Sequence, residues 1–513
     1  MKVNLQKSKL ILAGIGILFA PFCLSEPIAN NFKNSSFPTH NEVPNPPSVF
    51  PNKELLVGLE PFLGKQVSKN LLPSELLLQA NGKPLILKDS NGVMHKATEI
   101  KITWQKVSLK KPKQFTRQVL GPFASFESAK RFSSLLAERD IHNEIAHPWD
   151  WEVWISEEVQ LPKDMKSQGF HQIIFEEIKP FVKLGKEDYL LSGPILINAP
   201  DGMFWKGGLY LGPFLLKKDA YGTWTLIEKV PLERYLLGVV PHEIGHKSPF
   251  SALAAQAVLA RTWALANTDR FEIDGYHLCN STQCQVYKDP DKANLEVLNA
   301  IKKTSGKVLT WEGNPINAVY HATNGGITAS AEEAWQMKPL SYLKTSFDGS
   351  SLWKRQFSIP LDNKELIRSF LDKKDGAYGN NHSLFRWTRK LNESEIRKIL
   401  KVKNERELEH PLKIRVVERG PSGRVLALEI LGRSKSSSVI LRKDAIRRTF
   451  RKLPSTLFVL NEVDKGVWEF SGGGFGHGAG LSQAGAIDMA LRGWSTRKIL
   501  NHYYPGTRYE ALQ

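Results

Sequence analysis

Between Phe250 and Ala266 the chain reads FSALAAQAVLARTWALA, in which only Ser251, Gln256, Arg261 and Thr262 are polar. A helix made from this run has no polar face to offer to water. Other elements must therefore enclose it on nearly every side. It is a core helix, and the strands and helices read along the rest of the chain make the expected class α+β. Ser248 is placed to cap the helix, with Pro249 at its first position. Gln256 and Arg261 cost free energy on such a helix unless they are paired, so each satisfies backbone groups or faces a cleft.

The chain has 513 residues, enough for two to four domains, and a net charge of +18. The surplus Lys and Arg are spread without a long basic run, which argues for attraction to an anionic polymer rather than a nucleic-acid stripe. Residues 1–25 have the layout of a secretory signal peptide: a basic MKVNLQKSK, then the apolar LILAGIGILFAPFCLS. The alternative is an uncleaved membrane anchor, although the apolar run is shorter than the roughly 20 residues a spanning helix needs. Cleavage near Ser25 removes Cys23 and leaves Cys279 and Cys284 outside the cytoplasm. The expectation is an exported protein of the periplasm or cell wall, with a wall polymer rather than nucleic acid as its partner.

Residues 26–52 are rich in Pro, Asn and Ser and read as a flexible tether. Residues 53–113 alternate short apolar runs with turn residues, the pattern of short strands. Over 114–180 a strand ends at Gly121-Pro122-Phe123. Ser125 then caps a helix over 126–139 with Ala129, Phe132, Leu135 and Leu136 on one face, and a strand follows near 141–146. Strands resume from 183 to 230. Beyond the core helix, helices (363–371, 394–402, 482–492) alternate with strands (412–418, 424–431).

Directly before the core helix stands His242-Glu243-Ile244-Gly245-His246, a match to the zinc-protease pattern H-E-x-x-H. Zinc binding by this pattern needs both histidines on one continuous helix and a third ligand. Pro241 permits a helix at best to begin there, Gly245 interrupts it, and no G-x-x-H follows. Glu243 stands apart from the histidines. Its neighbours Leu236, Leu237, Val239, Val240 and Ile244 make an apolar setting, which disfavours the ionised carboxylate and suits a general acid. GFGHGA at 474–479 fits a loose dinucleotide pattern, but 494–500 lacks the acidic residue a ribose requires.

VPLERYLLGVVPHEIGHKSPFSALAAQAVLARTWAL closely resembles the stage II sporulation protein D (SpoIID/LytB) family. That family shows V-P-L-E-x-Y-L-x-G-V-V-x-x-E-M, a Pro, and A-L-x-A-Q-A-V-A-A-R-T. Further matches follow in order: CQVYKD (284–289), TNGG (323–326), EEAW (332–335), PSGRV (421–425), STLF (455–458), GFGHGAGLSQAGA (474–486) and YYPGT (503–507). The resemblance spans about 183–513. It implies lytic cleavage of peptidoglycan between N-acetylmuramic acid and N-acetylglucosamine, leaving a 1,6-anhydro end. Glu243 matches the family's catalytic acid, the flanking histidines fall outside the pattern, and Ile244 replaces the usual Met. The resemblance also implies substrate contacts from Gln256, Tyr287, Asn324, His477, Ser482 and Gln483, with the glycine-rich turn letting backbone approach a glycan. No cofactor is required. The implied partners are glycan strands and, for LytB-type relatives, a separate amidase that the protein enhances without cutting glycan itself, which is the alternative function.

Some members of this family bind zinc with two Cys and two His near Cys279 and Cys284. Here Gln283 stands where those members have His. Zinc with His277 as a replacement ligand, a disulfide and free thiols all remain open. Upstream, 114–180 resembles a SPOR-like module, a small ferredoxin-like fold that in its family binds glycan strands stripped of stem peptides.

Overall fold

The computed structural model describes residues 38–65, 75–163, 165–184, 187–404, 408–433 and 438–512. The expected signal peptide and the first part of the expected tether lie outside the described residues. The remainder of that tether is bound along the body rather than free. Arg117 Nη1 donates to the Thr39 carbonyl at 2.8 Å, and His277 Nε2 meets the Pro47 carbonyl at 2.8 Å.

The core helix spans Phe250–Ala266, and every residue from Ala252 to Ala264 is buried. Helices Leu232–Val240, Leu295–Lys303, Gln483–Leu491 and Thr496–Tyr503 and strand Lys307–Trp311 all pack on it. The all-round apolar character of the sequence is thus met by all-round enclosure. Its start differs by one residue from expectation. Pro249 takes the N-cap position, and the Ser248 hydroxyl instead donates to the Ile244 carbonyl at 2.7 Å, closing the turn before the helix.

Beside this helix lies a seven-stranded sheet in the order Leu278–Cys279, Glu54–Leu63, Trp224–Pro231, Phe214–Lys218, Ile195–Asn198, Leu85–Lys88, Met94–Ala97. Neighbouring strands are antiparallel except at one edge, where Leu278–Cys279 runs parallel to Val57–Gly58. Strand Trp224–Pro231 passes straight into helix Leu232–Val240. That helix leaves the sheet beside Glu54, whereas the chain that leaves Cys279 runs parallel to Val57–Gly58 toward the other end of the same strand.

A second sheet is built around Glu99–Phe123, a 25-residue strand that pairs antiparallel with Gln168–Leu184 along most of its length. Ser125 caps helix Phe126–Ala137 by accepting from the Ser128 N–H at 3.3 Å, and strand Glu144–Ala146 follows, both close to expectation. The SPOR-like module expected over 114–180 does not stand as a separate unit. The long strand crosses the expected boundary at 113/114, its sheet continues into Leu76–Ala80 and Met203–Trp205, and a single helix lies within 114–180 among the described residues.

In the C-terminal part, two three-stranded sheets share a separate core around Trp387, Leu428, Phe458 and Phe470. A short parallel ribbon, Tyr320–His321 on Leu481–Ser482, ties this region back to the core helix.

Candidate active site

The sequence lets a helix at best begin at Pro241; instead helix Leu232–Val240 runs up to that proline and widens into a π-helical turn, Pro241–Gly245. Proline has no N–H for the carbonyl four residues back, and its ring crowds that carbonyl; the wider turn absorbs both. Gly245, at φ +85°, then ends the helix. Glu243 projects from this widened turn and is half-buried. Burial pushes its carboxyl above the ordinary range, opposed by the Val286 N–H, the Tyr320 hydroxyl and the Gln483 amide. The Val286 N–H donates to Oε1 at 2.8 Å.

Around these donors the chain builds a cradle. The one proton of the Tyr320 hydroxyl is shared between Glu243 and Gln285 Oε1, which lies at 3.0 Å, and Gln285 Nε2 donates to the Ala260 carbonyl of the core helix at 3.2 Å. Gln483 Nε2 donates to Gln256 Oε1 at 3.4 Å. Gln256 Nε2 and the Tyr235 hydroxyl are buried without a partner among the described residues. Burial, and after it the Glu243 carboxylate, pushes the Tyr235 hydroxyl far above its ordinary range, so it stays a neutral donor. The arrangement can hold one proton on Glu243 and stabilise the carboxylate once that proton has left.

The structure brings Glu243, Gln256 and Gln483 together. Gln285, Val286, Tyr320 and Tyr235 were missed, although Gln285 and Val286 lie inside the CQVYKD motif and Tyr320 stands three residues before TNGG.

Four other expected contact residues lie elsewhere. Tyr287 is 1% exposed, and its hydroxyl donates to Glu228 Oε2 at 2.8 Å. Asn324 is fully buried, donates from Nδ2 to Asp348 at 2.7 Å and accepts the Gly326 N–H at 2.8 Å. Ser482 is buried as the N-cap of helix Gln483–Leu491, accepting from the Gly485 N–H at 3.2 Å. His477 has both ring nitrogens engaged: Nε2 donates to the Tyr320 carbonyl at 2.8 Å and Nδ1 accepts from the Ala479 N–H at 3.2 Å. Burial holds its pKa down to about 3.

The glycine-rich stretch likewise faces inward. A Cβ on Gly474 would lie 2.8 Å from the Thr323 carbonyl, and one on Gly480, at φ +71°, would overlap the Val319 carbonyl. These glycines let two segments of the chain's own backbone touch, where the sequence reading had a glycan.

The family model described as "Stage II sporulation protein" matches residues 220–311. Residues 220–311 are a SpoIID domain. A second family model, described as a domain of unknown function (DUF8618), matches residues 329–480. The chain is similar to stage II sporulation protein D of Bacillus amyloliquefaciens, at 28% identity over 302 residues, covering 55% of this chain and 74% of that protein. It is similar to stage II sporulation protein D of Bacillus subtilis (strain 168), at 28% over 306 residues, covering 55% and 75%. It is also similar to the amidase enhancer of Bacillus subtilis (strain 168), at 28% over 301 residues, covering 53% and 40%. The SpoIID domain contains Glu243, Gln256, Gln285 and Val286, whereas Tyr320 and Gln483 come from chain beyond the matched residues. The cradle is completed from outside the domain.

Zinc at Cys279, Cys284 and His277, one of the open alternatives, meets residues already committed elsewhere. Cys279 and Cys284 form a disulfide. His277 Nδ1 accepts the Leu56 N–H at 2.8 Å while Nε2 donates to Pro47, so neither nitrogen is free to bind metal. Gln283 accepts from the Trp151 indole at 3.2 Å. These residues do not fit a zinc site. In HEIGH, His242 Nδ1 donates to the Gly238 carbonyl at 2.9 Å, and His246 is exposed beyond the turn at Gly245. The two histidines therefore do not share one helical face.

Proposed function

We propose that the protein is a peptidoglycan lytic transglycosylase acting outside the cytoplasm. The observation that carries this reading is the setting of Glu243. It is a single half-buried carboxyl held above its ordinary pKa, and among the described residues no second carboxylate acts on it. Hydrolysis by an ordinary glycosidase calls for two carboxylates, one as acid and one as nucleophile or water base. Intramolecular attack by the sugar's own 6-hydroxyl needs one.

In this mechanism Glu243 gives its proton to the glycosidic oxygen as the bond to the muramic acid C1 breaks. The 6-hydroxyl oxygen bonds to that C1, and the Glu243 carboxylate takes the hydroxyl proton. The Val286 N–H, Tyr320 and Gln483 stabilise the carboxylate between the two transfers. The residues require no metal or cofactor for these steps. The surplus positive charge draws the protein toward an anionic wall polymer.

Similarity to an amidase enhancer favours a second reading, in which the protein binds glycan and stimulates a separate amidase without cutting. Purified protein incubated with peptidoglycan, followed by mass spectrometry, separates the two. Release of 1,6-anhydro products supports the transglycosylase, and reducing-end sugars would refute its mechanism. Absence of products together with stimulation of an amidase would establish the enhancer.

A further inference from the structure

We propose that the Cys279–Cys284 disulfide positions Glu243 for its chemistry by holding the loop that carries Val286. The proposal rests on Glu243 acting as the proposed acid.

The chain enters this loop from a fixed point, since Cys279 pairs with Gly58 at the sheet edge. Asn280 Nδ2 adds one anchor, donating to the Leu59 carbonyl at 2.9 Å. Ser281 and Thr282 are exposed. The chain then turns back, with the Cys284 N–H donating to the Ser281 carbonyl at 2.9 Å. Cys284 is bonded to Cys279, and its sulfur also accepts the Cys279 N–H at 2.9 Å. The next two residues are Gln285, which accepts from Tyr320, and Val286, which donates to Glu243. Beyond them Tyr287 is held by Glu228, and the Lys288 N–H donates to the Gly238 carbonyl at 3.1 Å.

The two residues that serve the site are thus suspended between a covalent brace and a hydrogen-bonded anchor. Closing this short loop covalently removes the conformations in which the Cys284 end swings away from the sheet. The residues around the brace are themselves held, Gln283 by the Trp151 indole and His277 by Leu56 and Pro47, so the loop has a fixed base on which the disulfide acts.

Reduction by a dithiol transfers two electrons and two protons. The sulfur–sulfur bond becomes two thiols, and the dithiol is oxidised to its own disulfide. Hydrogen exchange is followed by mass spectrometry over peptides spanning 280–288 in three samples: oxidised protein, dithiol-reduced protein, and the Cys279→Ser/Cys284→Ser variant. Glycan cleavage is followed against pH in the same samples. Without the brace, exchange at Val286 is expected to rise by about tenfold, and cleavage to fall by a similar factor. The alkaline limb of the pH profile is expected to move upward, because the Val286 N–H holds the Glu243 pKa down.

Unchanged exchange and an unchanged limb would overturn the proposal, because the anchors at Glu228 and Gly238 would then suffice. If the double variant unfolds, the reduced wild type decides. If oxidised wild type releases no glycan product, the transglycosylase reading fails, and the exchange measurement still judges the brace.

Discussion

The backbone N–H of Val286 donates to Glu243 Oε1 at 2.8 Å across 43 residues of sequence. The bond joins two motifs of the SpoIID domain that are separated by the whole core helix. A buried carboxyl alone rises in pKa; one that accepts an N–H can still ionise transiently. Glu243 is both, which suits a group that must give up a proton and then recover one.

Glu243→Gln keeps the size and polarity of the side chain and removes the titratable proton. Release of anhydro products is expected to fall by about 10²- to 10⁴-fold, with the circular dichroism spectrum unchanged. Full activity in the variant would exclude Glu243 as the acid.

Tyr320→Phe removes a hydroxyl that donates to Gln285 and lowers the Glu243 pKa. Cleavage needs protonated Glu243, so it declines as pH rises through the pKa of this group. Losing the donor raises that pKa. The rate at the wild-type optimum is expected to fall about tenfold, while the alkaline limb shifts to higher pH. A rate loss without that shift would assign Tyr320 to packing.

The double variant His242→Ala/His246→Ala is expected to retain most glycan cleavage, also in the presence of a strong chelator. His242 contributes one hydrogen bond to Gly238, a loss of about 1 kcal/mol in stability, and His246 is exposed. A tenfold or greater loss in a folded double variant would restore a metal site to consideration.

Gly480→Ala should be far more costly than Gly493→Ala. Both glycines have positive φ, +71° and +79°, but a Cβ on Gly480 meets the Val319 carbonyl while one on Gly493 meets nothing within 4 Å. The backbone term alone is about 1 kcal/mol. Thermal unfolding should show Gly493→Ala close to that, and Gly480→Ala well beyond it.

Glu228→Gln should flatten part of the pH dependence of stability. Burial raises the Glu228 carboxyl to about 7 from an ordinary value of 4.5. The folded state therefore holds this proton more tightly than the unfolded chain does. The associated stability is fully present below pH 4.5, declines as pH rises to about 7, and is level above. The span is roughly 3 kcal/mol. Denaturant midpoints from pH 5 to 8, compared between wild type and variant, isolate this slope from the opposing one of buried His477.

The sequence by itself determined the features that depend on neighbours along the chain. The run Phe250–Ala266 had to be enclosed because it has almost no polar face. Ser125 had to cap because a helix follows a strand there, and Glu243 had to feel an apolar setting because its flanking residues are apolar. Tertiary structure decided which polar residues meet. Tyr320 reaches Glu243 because its strand pairs with Leu481–Ser482, and that same pairing turns Ser482 into a helix cap and His477 into a backbone link. Cys279 and Cys284 became a disulfide because the sheet edge and the return of the loop bring their sulfurs together, while His277 is held by Leu56 and Pro47. Hydropathy and propensity act along the sequence. The direction in which a side chain points is set by the partner strand or loop, and those partners lie far away along the chain.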